Sequence, residues 1–138
     1  MAYIFPGEEW LQALKDKLNN DQDYARIARK WEGDLLFVIK ADGPLQADSF
    51  FYLDLWHGAC RDAYILQKEA VDKLTPAYTL TAPYGQFTRL LRGDLEPMQA
   101  MITRKLKVKG SMAYMMRNVP VVLDFVRCAQ AIDAQIME

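Results

Sequence analysis

Apolar residues in the first part of the chain recur at intervals of three and four, which is the spacing of one face of an α-helix. We predict a first helix from Glu8 to Leu18, and its apolar face holds Trp10, Leu11, Leu14 and Leu18. Residues 19–21, Asn-Asn-Asp, interrupt this pattern and offer an N-cap for another helix. The second predicted helix presents to the core Tyr24, Ile27, Ala28 and Trp31.

The pattern then changes to that of β-strands. Residues Leu35 to Ala41 are apolar except for Lys40 and partly β-branched, and Asp-Gly-Pro, a strong turn signal, follows them. In the next predicted strand, from Phe51 to Trp56, the apolar residues Phe51, Leu53 and Leu55 share one face. A turn is predicted after this strand, at His57-Gly58. The third and fourth predicted strands are Ala63 to Gln67 and Tyr78 to Thr81. Short connections between successive strands favour antiparallel pairing.

The second half of the chain is predicted to be mainly helical. Pro83 suits the first position of a helix that ends near Gly93, and Asp94 suits the cap of the next one. Residues 105–109 alternate between lysine and aliphatic side chains, which predicts a fifth strand with one wet face. Ser111 can cap a short helix, and a last helix is predicted from about Pro120 to Ile136. This order predicts an α+β domain with helices on one side of a mostly antiparallel sheet.

The composition narrows the class of protein. The chain has 138 residues, of which 51% are hydrophobic, so we expect one globular domain over residues 1–138. The net charge of -1 argues against a nucleic-acid partner. Two cysteines, Cys60 and Cys128, are too few for a disulfide scaffold or a cysteine-based zinc site. The first residues lack a signal segment and the apolar stretch Leu35 to Ile39 is too short for a bilayer, so we expect a cytoplasmic protein.

The stretch from Phe87 to Met116 resembles the sterol carrier protein family. Three motifs carry the resemblance: a helix with Phe87, Leu90 and Leu91 closed by glycine, then Gly93-Asp94-Leu95-Glu96-Pro97-Met98-Gln99-Ala100-Met101, then Lys105-Leu106-Lys107-Val108-Lys109-Gly110. The order of the preceding elements also fits this family. Thr103 and Arg104 stand where the family usually has a glycine before the lysine-rich strand.

This resemblance implies a five-stranded sheet covered by helices, with an apolar tunnel between them for an acyl chain, an isoprenoid or a sterol-like ligand. It implies no cofactor and no catalytic residue. Ligand uptake would require the last helix or the segment 112–118 to move. The residues expected to line the tunnel are Phe51, Leu53, Leu55, Tyr78, Leu80, Phe87, Met98, Met101, Ile102, Met112, Met115, Met116, Leu123 and Val126.

The methionines between residues 97 and 117 support a ligand pocket. Methionine is flexible and polarizable, and it suits surfaces that accept ligands of varied shape. A space between helices and a sheet is a common site for an apolar molecule. The alternative is that these methionines only fill the core. The resemblance favours the pocket.

Basic residues concentrate in the same half of the chain. Residues 83–127 hold eight basic and three acidic side chains. Lys105, Lys107 and Lys109 share one face of the predicted strand, and Arg104 is adjacent. Such a patch can attract an anionic membrane surface, which a lipid carrier must meet. The alternative, which we favour on the sequence, is a solvated strand face that discourages edge pairing.

The single histidine raises the possibility of an enzyme. His57 lies near Asp54, Cys60 and Asp62, which could be drawn as base, orienting acid and nucleophile. However, Asp54 and His57 are an odd number of residues apart at a strand end, so their side chains tend toward opposite faces. A His-Gly pair there indicates a turn, and one histidine without clustered partners does not supply a metal site.

Two hypotheses for the function follow. The first is a non-enzymatic carrier that buries an apolar, lipid-type ligand and makes transient contact with an anionic membrane. The second is a protein-interaction or dimerisation module of the same fold, with no exchangeable ligand. The chain is expected to be a monomer or a homodimer, and uptake of a lipid discriminates the two hypotheses.

Overall fold

The chain folds into short strands and helices. The computed structural model describes residues 2–137, and within them it has seven strands and seven helices. The strands are β1 (Tyr3–Phe5), β2 (Leu35–Lys40), β3 (Ser49–Trp56), β4 (Ala59–Leu66), β5 (Tyr78–Pro83), β6 (Lys107–Lys109) and β7 (Ala134–Ile136). The helices are α1 (Glu8–Asn20), α2 (Gln22–Ile27), α3 (Lys68–Val71), α4 (Tyr84–Arg92), α5 (Pro97–Ile102), α6 (Met112–Arg117) and α7 (Val119–Gln130).

The main sheet has five strands in the order β4-β3-β2-β5-β6. Strand β3 pairs antiparallel with β2 and β4, and β6 pairs antiparallel with β5. The predicted α+β class and the mostly antiparallel sheet are therefore confirmed. The expectation of antiparallel pairing between successive strands is wrong for β5, which lies parallel to β2 with Phe37 opposite Leu80. The chain leaves the edge strand β4, passes through α3 and crosses to the other side of β2, as parallel pairing requires.

The turn predicted at His57-Gly58 is confirmed. Trp56 pairs with Ala59, which leaves a two-residue loop between β3 and β4. The backbone φ angles are 51° for His57 and 84° for Gly58, and two positive values are the signature of a type I′ hairpin turn. A Cβ atom on Gly58 would lie 2.7 Å from the carbonyl oxygen of Ala25, so the turn also packs closely against α2.

Some predicted helix boundaries are wrong for local reasons. Helix α2 ends at Ile27 and does not continue to Trp31, which is nevertheless buried. Pro83 ends β5 and precedes α4, because its ψ of 155° is extended and not helical. Glu96, and not Asp94, caps α5, because its carboxylate accepts the backbone N–H of Gln99 at 2.7 Å.

The last part of the chain also departs from the prediction. The lysine-rich strand begins at Lys107 and not at Lys105, because residues 103–106 form the turn that closes α5. The last helix ends at Gln130, and residues 134–136 form β7, which pairs parallel with β1. Strands β1 and β7 and helix α3 have three or four residues each. These elements were not predicted, because so few residues do not show a hydrophobic period.

The helices pack against one face of the sheet and enclose the core. Every second residue of β2 and β3 belongs to this core. Leu36 and Phe50 lie at the positions between them and are also buried, but they do not belong to the core. The core therefore lies between the inner sheet face and the helices. Among residues 2–137, no helix combines the length and the apolar character needed to pass through a bilayer.

Candidate ligand cavity

An apolar cavity of about 110 Å³ lies between the sheet and the helices. The side chains around it include no aspartate, glutamate, lysine, arginine or histidine. Uncharged, largely carbon surroundings favour hydrocarbon over water, because water needs several polar partners. The geometry is that of a small site for an apolar molecule.

The sheet forms one wall of this cavity. Side chains on a strand point alternately to its two faces, so every second residue of a strand can reach the same cavity. Strands β2, β3 and β5 supply Leu35, Phe37, Ile39, Phe51, Leu53, Leu55 and Leu80.

Helix α7 forms a large part of the opposite wall. Its ring Phe125 stacks on Phe37 of β2, with centroids 6.0 Å apart and planes at 10°. Phe87 of α4 meets the same Phe37 ring edge to face, also at 6.0 Å. The helix therefore touches the sheet through aromatic contacts beside the cavity. The α7 residues in the lining are Val121, Val122, Phe125, Val126 and Ala129.

Two indole rings from the N-terminal part of the chain also line the cavity. Trp31 donates its ring N–H to the carbonyl oxygen of Gly33 at 2.9 Å. Trp10 is 4% exposed, and its ring lies 4.8 Å from Phe5 and 6.1 Å from Phe51, centroid to centroid. Among the buried side-chain nitrogen and oxygen atoms of residues 2–137, the Nε1 atom of Trp10 alone has no hydrogen-bond partner.

Eight of the fourteen residues expected to bind the ligand lie in this lining. They come from strands β3 and β5 and from helices α4–α7, so the structure brings together residues that are far apart in the sequence. These eight are Phe51, Leu53, Leu55, Leu80, Phe87, Met101, Met115 and Val126.

The other six expected residues lie outside the lining. Tyr78 is buried elsewhere, where its ring stacks on Trp31 at 5.7 Å and its hydroxyl donates to the carbonyl oxygen of Ser111 at 2.9 Å. Met98 is half-buried against the core. The remaining four point outward because they occupy the outer faces of α5, α6 and α7; they are Ile102, Met112, Met116 and Leu123.

The residues expected to line the tunnel do not include those of β2 or the two N-terminal tryptophans; the tryptophans could line a pocket on the sequence alone, but a core role was favoured for them. Leu35, Phe37 and Ile39 alternate with Leu36 and Val38, but all five are apolar, so the strand shows no polar face. The pairing of β2 with β3 identifies which of them point inward, because residues directly opposite on neighbouring strands point to the same face of the sheet. Two tryptophans of the lining, at positions 10 and 31, have the spacing of ordinary core residues, which does not link them to a pocket.

The four residues expected to contact a membrane are all exposed. Lys107 and Lys109 lie on β6, and Lys105 and Arg104 lie in the turn before it. Leu106, between these basic residues, is buried and lines the cavity. Ile102, two residues before Arg104, is 64% exposed. Basic and apolar side chains are therefore exposed next to one wall of the cavity.

The residues around the single histidine do not form a nucleophile–base pair. His57 Nε2 lies 2.6 Å from a carboxylate oxygen of Glu32, and Asp54 is paired with Arg61. Cys60 is buried, its thiol donates to the carbonyl oxygen of Asp62, and burial raises its pKa to about 12. Asp54 and Arg61 thus form an ion pair, and Cys60 is a protonated thiol in the core. A cysteine nucleophile would have to be an accessible thiolate.

A second cluster of potential ligand atoms fastens α7 to the turn between α1 and α2. Oxygens of Asp21 and Asp124 and the sulfur of Cys128 lie within 4.8 Å of one another. Both carboxylates bind the guanidinium of Arg127, each at 2.7 Å, and Lys17 reaches Asp21 at 3.0 Å. Arg127 and Tyr24's backbone N–H hold the pKa of Asp21 well below its usual value. The positive charges paired with these carboxylates are those of Arg127 and Lys17.

The tunnel that the resemblance implied is not shown. The cavity of about 110 Å³ is smaller than ligand pockets, which commonly have a volume of about 300–1,000 Å³. It is close in size to a cavity of about 150 Å³ that accepts benzene. A long acyl chain would fit only if wall elements move apart.

Comparisons with known proteins give a consistent result. A protein-family model described as the SCP-2 sterol transfer family matches residues 11–122. A crystal structure of sterol carrier protein 2 superposes with a TM-score of 0.81 and 30% sequence identity, covering 91% of this chain and 97% of that one. No curated protein sequence matched the chain.

Two further solved structures have a similar fold. A conserved hypothetical protein from Thermus thermophilus, described as possibly a sterol carrier protein, superposes with a TM-score of 0.84 at 27% identity, covering 98% of this chain and 94% of that one. Sterol carrier protein 2 from Aedes aegypti, solved in complex with palmitate, superposes with a TM-score of 0.54 at 18% identity, covering 87% and 93%.

Proposed function

Because the chain belongs to the SCP-2 sterol transfer family, we propose that it binds an apolar, lipid-type molecule between the sheet and helices α4–α7 and carries it between membranes. The observation that carries this proposal is the uncharged cavity between the two layers. The palmitate bound to the Aedes aegypti relative supports an acyl chain as the ligand class.

Binding follows from the burial of hydrocarbon. Each Å² of apolar surface removed from water contributes about 25 cal/mol, so enclosing most of a long chain favours binding by several kcal/mol. Part of this free energy is needed to separate the wall elements, because the cavity is small. In this proposal helix α7 is the element that moves, because it provides much of one wall; its Arg127 pairs with Asp21 at the α1–α2 turn.

Loading takes place at an anionic membrane. The exposed apolar side chains of Ile102, Met112, Met116 and Leu123 belong to the same three helices that wall the cavity. The neighbouring basic residues each contribute about 1 kcal/mol near an anionic bilayer, and salt weakens this attraction. Replacing Lys105, Lys107 and Lys109 together with serine should slow transfer from anionic vesicles and leave ligand affinity unchanged. Equal transfer rates of the two proteins at low salt would remove the docking role.

The binding proposal is tested by titration with a fluorescent fatty acid and with its methyl ester. We expect saturable uptake of one molecule per chain. The exposed methionines and leucine also favour the second hypothesis, a dimerisation module. A chain that forms a stable dimer in sedimentation analysis and takes up neither compound would support that module and contradict the carrier.

A further inference from the structure

The two edges of the main sheet differ in length. Strand β6 at one edge has three residues, and Lys107 and Lys109 are two of them. Short edge strands and edge lysines hinder the addition of another strand. Strand β4 at the opposite edge has eight residues and contains neither lysine nor proline. The backbone groups on the outer side of β4 therefore need another form of protection.

Helix α1 supplies this protection over the first half of β4. Asn19 Nδ2 donates to the carbonyl oxygen of Cys60 at 2.9 Å, and Asn19 Oδ1 accepts the backbone N–H of Cys60 at 2.7 Å. Gln12 Nε2 donates to the carbonyl oxygen of Ala63 at 2.7 Å. The carboxylate of Asp62 accepts the backbone N–H of Ala63 at 2.9 Å. Side chains thus occupy four backbone groups that a further strand would otherwise bond.

The positions of Gln12 and Asn19 allow one helix to cover both sites on the strand. They are seven residues apart, about two helical turns, so both side chains point to the same side of α1. The amide of Asn19 carries a donor and an acceptor, as the backbone of a neighbouring strand residue does. Asn20, the next residue, instead donates to the carbonyl oxygen of Asp16 within α1 at 2.8 Å.

We propose that α1 closes a strand-addition surface on β4, and that Gln12 and Asn19 prevent β4 from pairing with the β4 strand of a second copy of this chain. The charges favour a second copy as the partner. Asp62 lies near the start of β4 and Lys68 follows its end, so antiparallel pairing of two such strands brings opposite charges together. The inference concerns assembly of the chain and does not depend on the proposed carrier function.

The test compares the double variant Gln12→Ala/Asn19→Ala with the matched control Asn20→Ala in sedimentation experiments over a range of concentrations. The double variant loses three hydrogen bonds to β4, whereas the control loses one bond that lies within α1. The native chain and the control should sediment as monomers. The double variant should self-associate at least tenfold more tightly than either, because each hydrogen bond to a partner strand is worth up to about tenfold in affinity.

Amide hydrogen exchange identifies the surface through which the copies associate. In the dilute double variant the backbone N–H of Cys60 has lost its acceptor and should exchange faster than in the native chain. At high concentration a partner strand should protect this N–H again. A purely structural role of Asn19 would leave the exchange fast at every concentration. The single variants Asn19→Ala and Gln12→Ala provide the same comparison if the double variant does not fold.

Association with renewed protection of Cys60 in the α1 variants, and not in Asn20→Ala, supports the inference. Folded α1 variants that remain monomeric overturn it. Association that leaves the Cys60 N–H unprotected, or that is equally strong in Asn20→Ala, also overturns it, as does a native chain that already pairs through β4. Ligand uptake is measured separately, so none of these results decides the proposed carrier function.

Discussion

Met115 and Met116 are neighbours on α6 with opposite surroundings. Met115 is 3% exposed and lines the cavity, whereas Met116 is 49% exposed. Successive residues on a helix point about a quarter of a turn or more apart, so one side chain can contact ligand while the next contacts solvent. The pair therefore offers a chemically matched test of the cavity.

The first prediction concerns the variants Met115→Glu and Met116→Glu. A carboxylate at position 115 would have to be buried without a partner, and this costs several kcal/mol. We expect uptake of a fluorescent fatty acid methyl ester to fall by about 100-fold or more in Met115→Glu and to stay near the native level in Met116→Glu. Circular dichroism establishes that both variants are folded. If Met115→Glu is folded and takes up the ester normally, Met115 does not contact the ligand.

Arg104 is the second informative residue. It follows the last turn of α5 with φ at 62°, and its N–H donates to the carbonyl oxygen of Met101 at 3.2 Å. Glycine is the usual residue for a left-handed conformation after a helix, because a Cβ atom is unfavourable there. Arg104 therefore adopts a backbone conformation that favours glycine.

The second prediction is that Arg104→Gly stabilises the protein. Relief of the left-handed strain outweighs the larger unfolded-state entropy of glycine, and the free energy of unfolding should rise by about 0.5–1 kcal/mol. Arg104→Ala is the control, because it removes the charge and keeps the Cβ atom. Urea denaturation measures both. An equal gain in the two variants would show that charge, and not backbone conformation, destabilises this turn.

The clearest residue-scale signal in the sequence is the alternation along β3. Phe51, Leu53 and Leu55 alternate with polar or half-polar neighbours, and the structure turns them inward together. Met112 and Met116 carried no such signal, because a six-residue helix with four apolar side chains has no clear polar face. The parallel place of β5 and the pairing of β1 with β7 depend on contacts between distant segments, which periodicity does not report.

At the scale of elements, α7 is the wall best placed to open. Its inner face lines the cavity, and its Arg127 joins Asp21 at the α1–α2 turn. Asp21 also caps α2, where its carboxylate accepts the N–H of Tyr24 at 2.9 Å. One aspartate thus links the start of α2 to the end of α7, and the ion pair must break or stretch when α7 moves away.

The third prediction compares Arg127→Met with Lys17→Met. Each variant removes one cation from Asp21, but only Arg127 lies on α7. We expect ligand uptake to be about threefold faster in Arg127→Met, because partly exposed ion pairs have modest strength. The rate in Lys17→Met should equal the native rate. Stopped-flow fluorescence measures both rates, and equal acceleration in the two variants would place the moving element elsewhere.

The fourth prediction concerns acid. The hydrogen bonds from Arg127, Tyr24 and Lys17 lower the pKa of Asp21 below its ordinary value of 3.8. A carboxyl group whose pKa is lower in the folded state contributes stability above its unfolded pKa, and this contribution disappears as the pH falls through the folded pKa. The native protein should therefore melt at a higher temperature than Asp21→Asn at about pH 6, and the difference should shrink below pH 3.8. A difference that does not change with pH would show that the charge of Asp21 does not cause it, because asparagine keeps the helix cap.

At the scale of the whole molecule, the two layers have separate roles. The five-stranded sheet supplies one wall of the cavity through its inward-pointing side chains, and the helices supply the opposite wall. Basic and apolar residues are exposed around the second wall, which is the wall to which the proposed function assigns both opening and membrane contact. The small cavity and the proposed long ligand are compatible only if the sheet and the helices move apart.

Mass spectrometry of the gently purified protein tests the central claim most directly. The intact chain is measured under native conditions, before and after incubation with a long-chain fatty acid methyl ester, and bound molecules are identified after organic extraction. We expect one apolar molecule per chain, either retained from the source or taken up on incubation. A chain that carries no such molecule, and that still binds none after incubation, would contradict the carrier function.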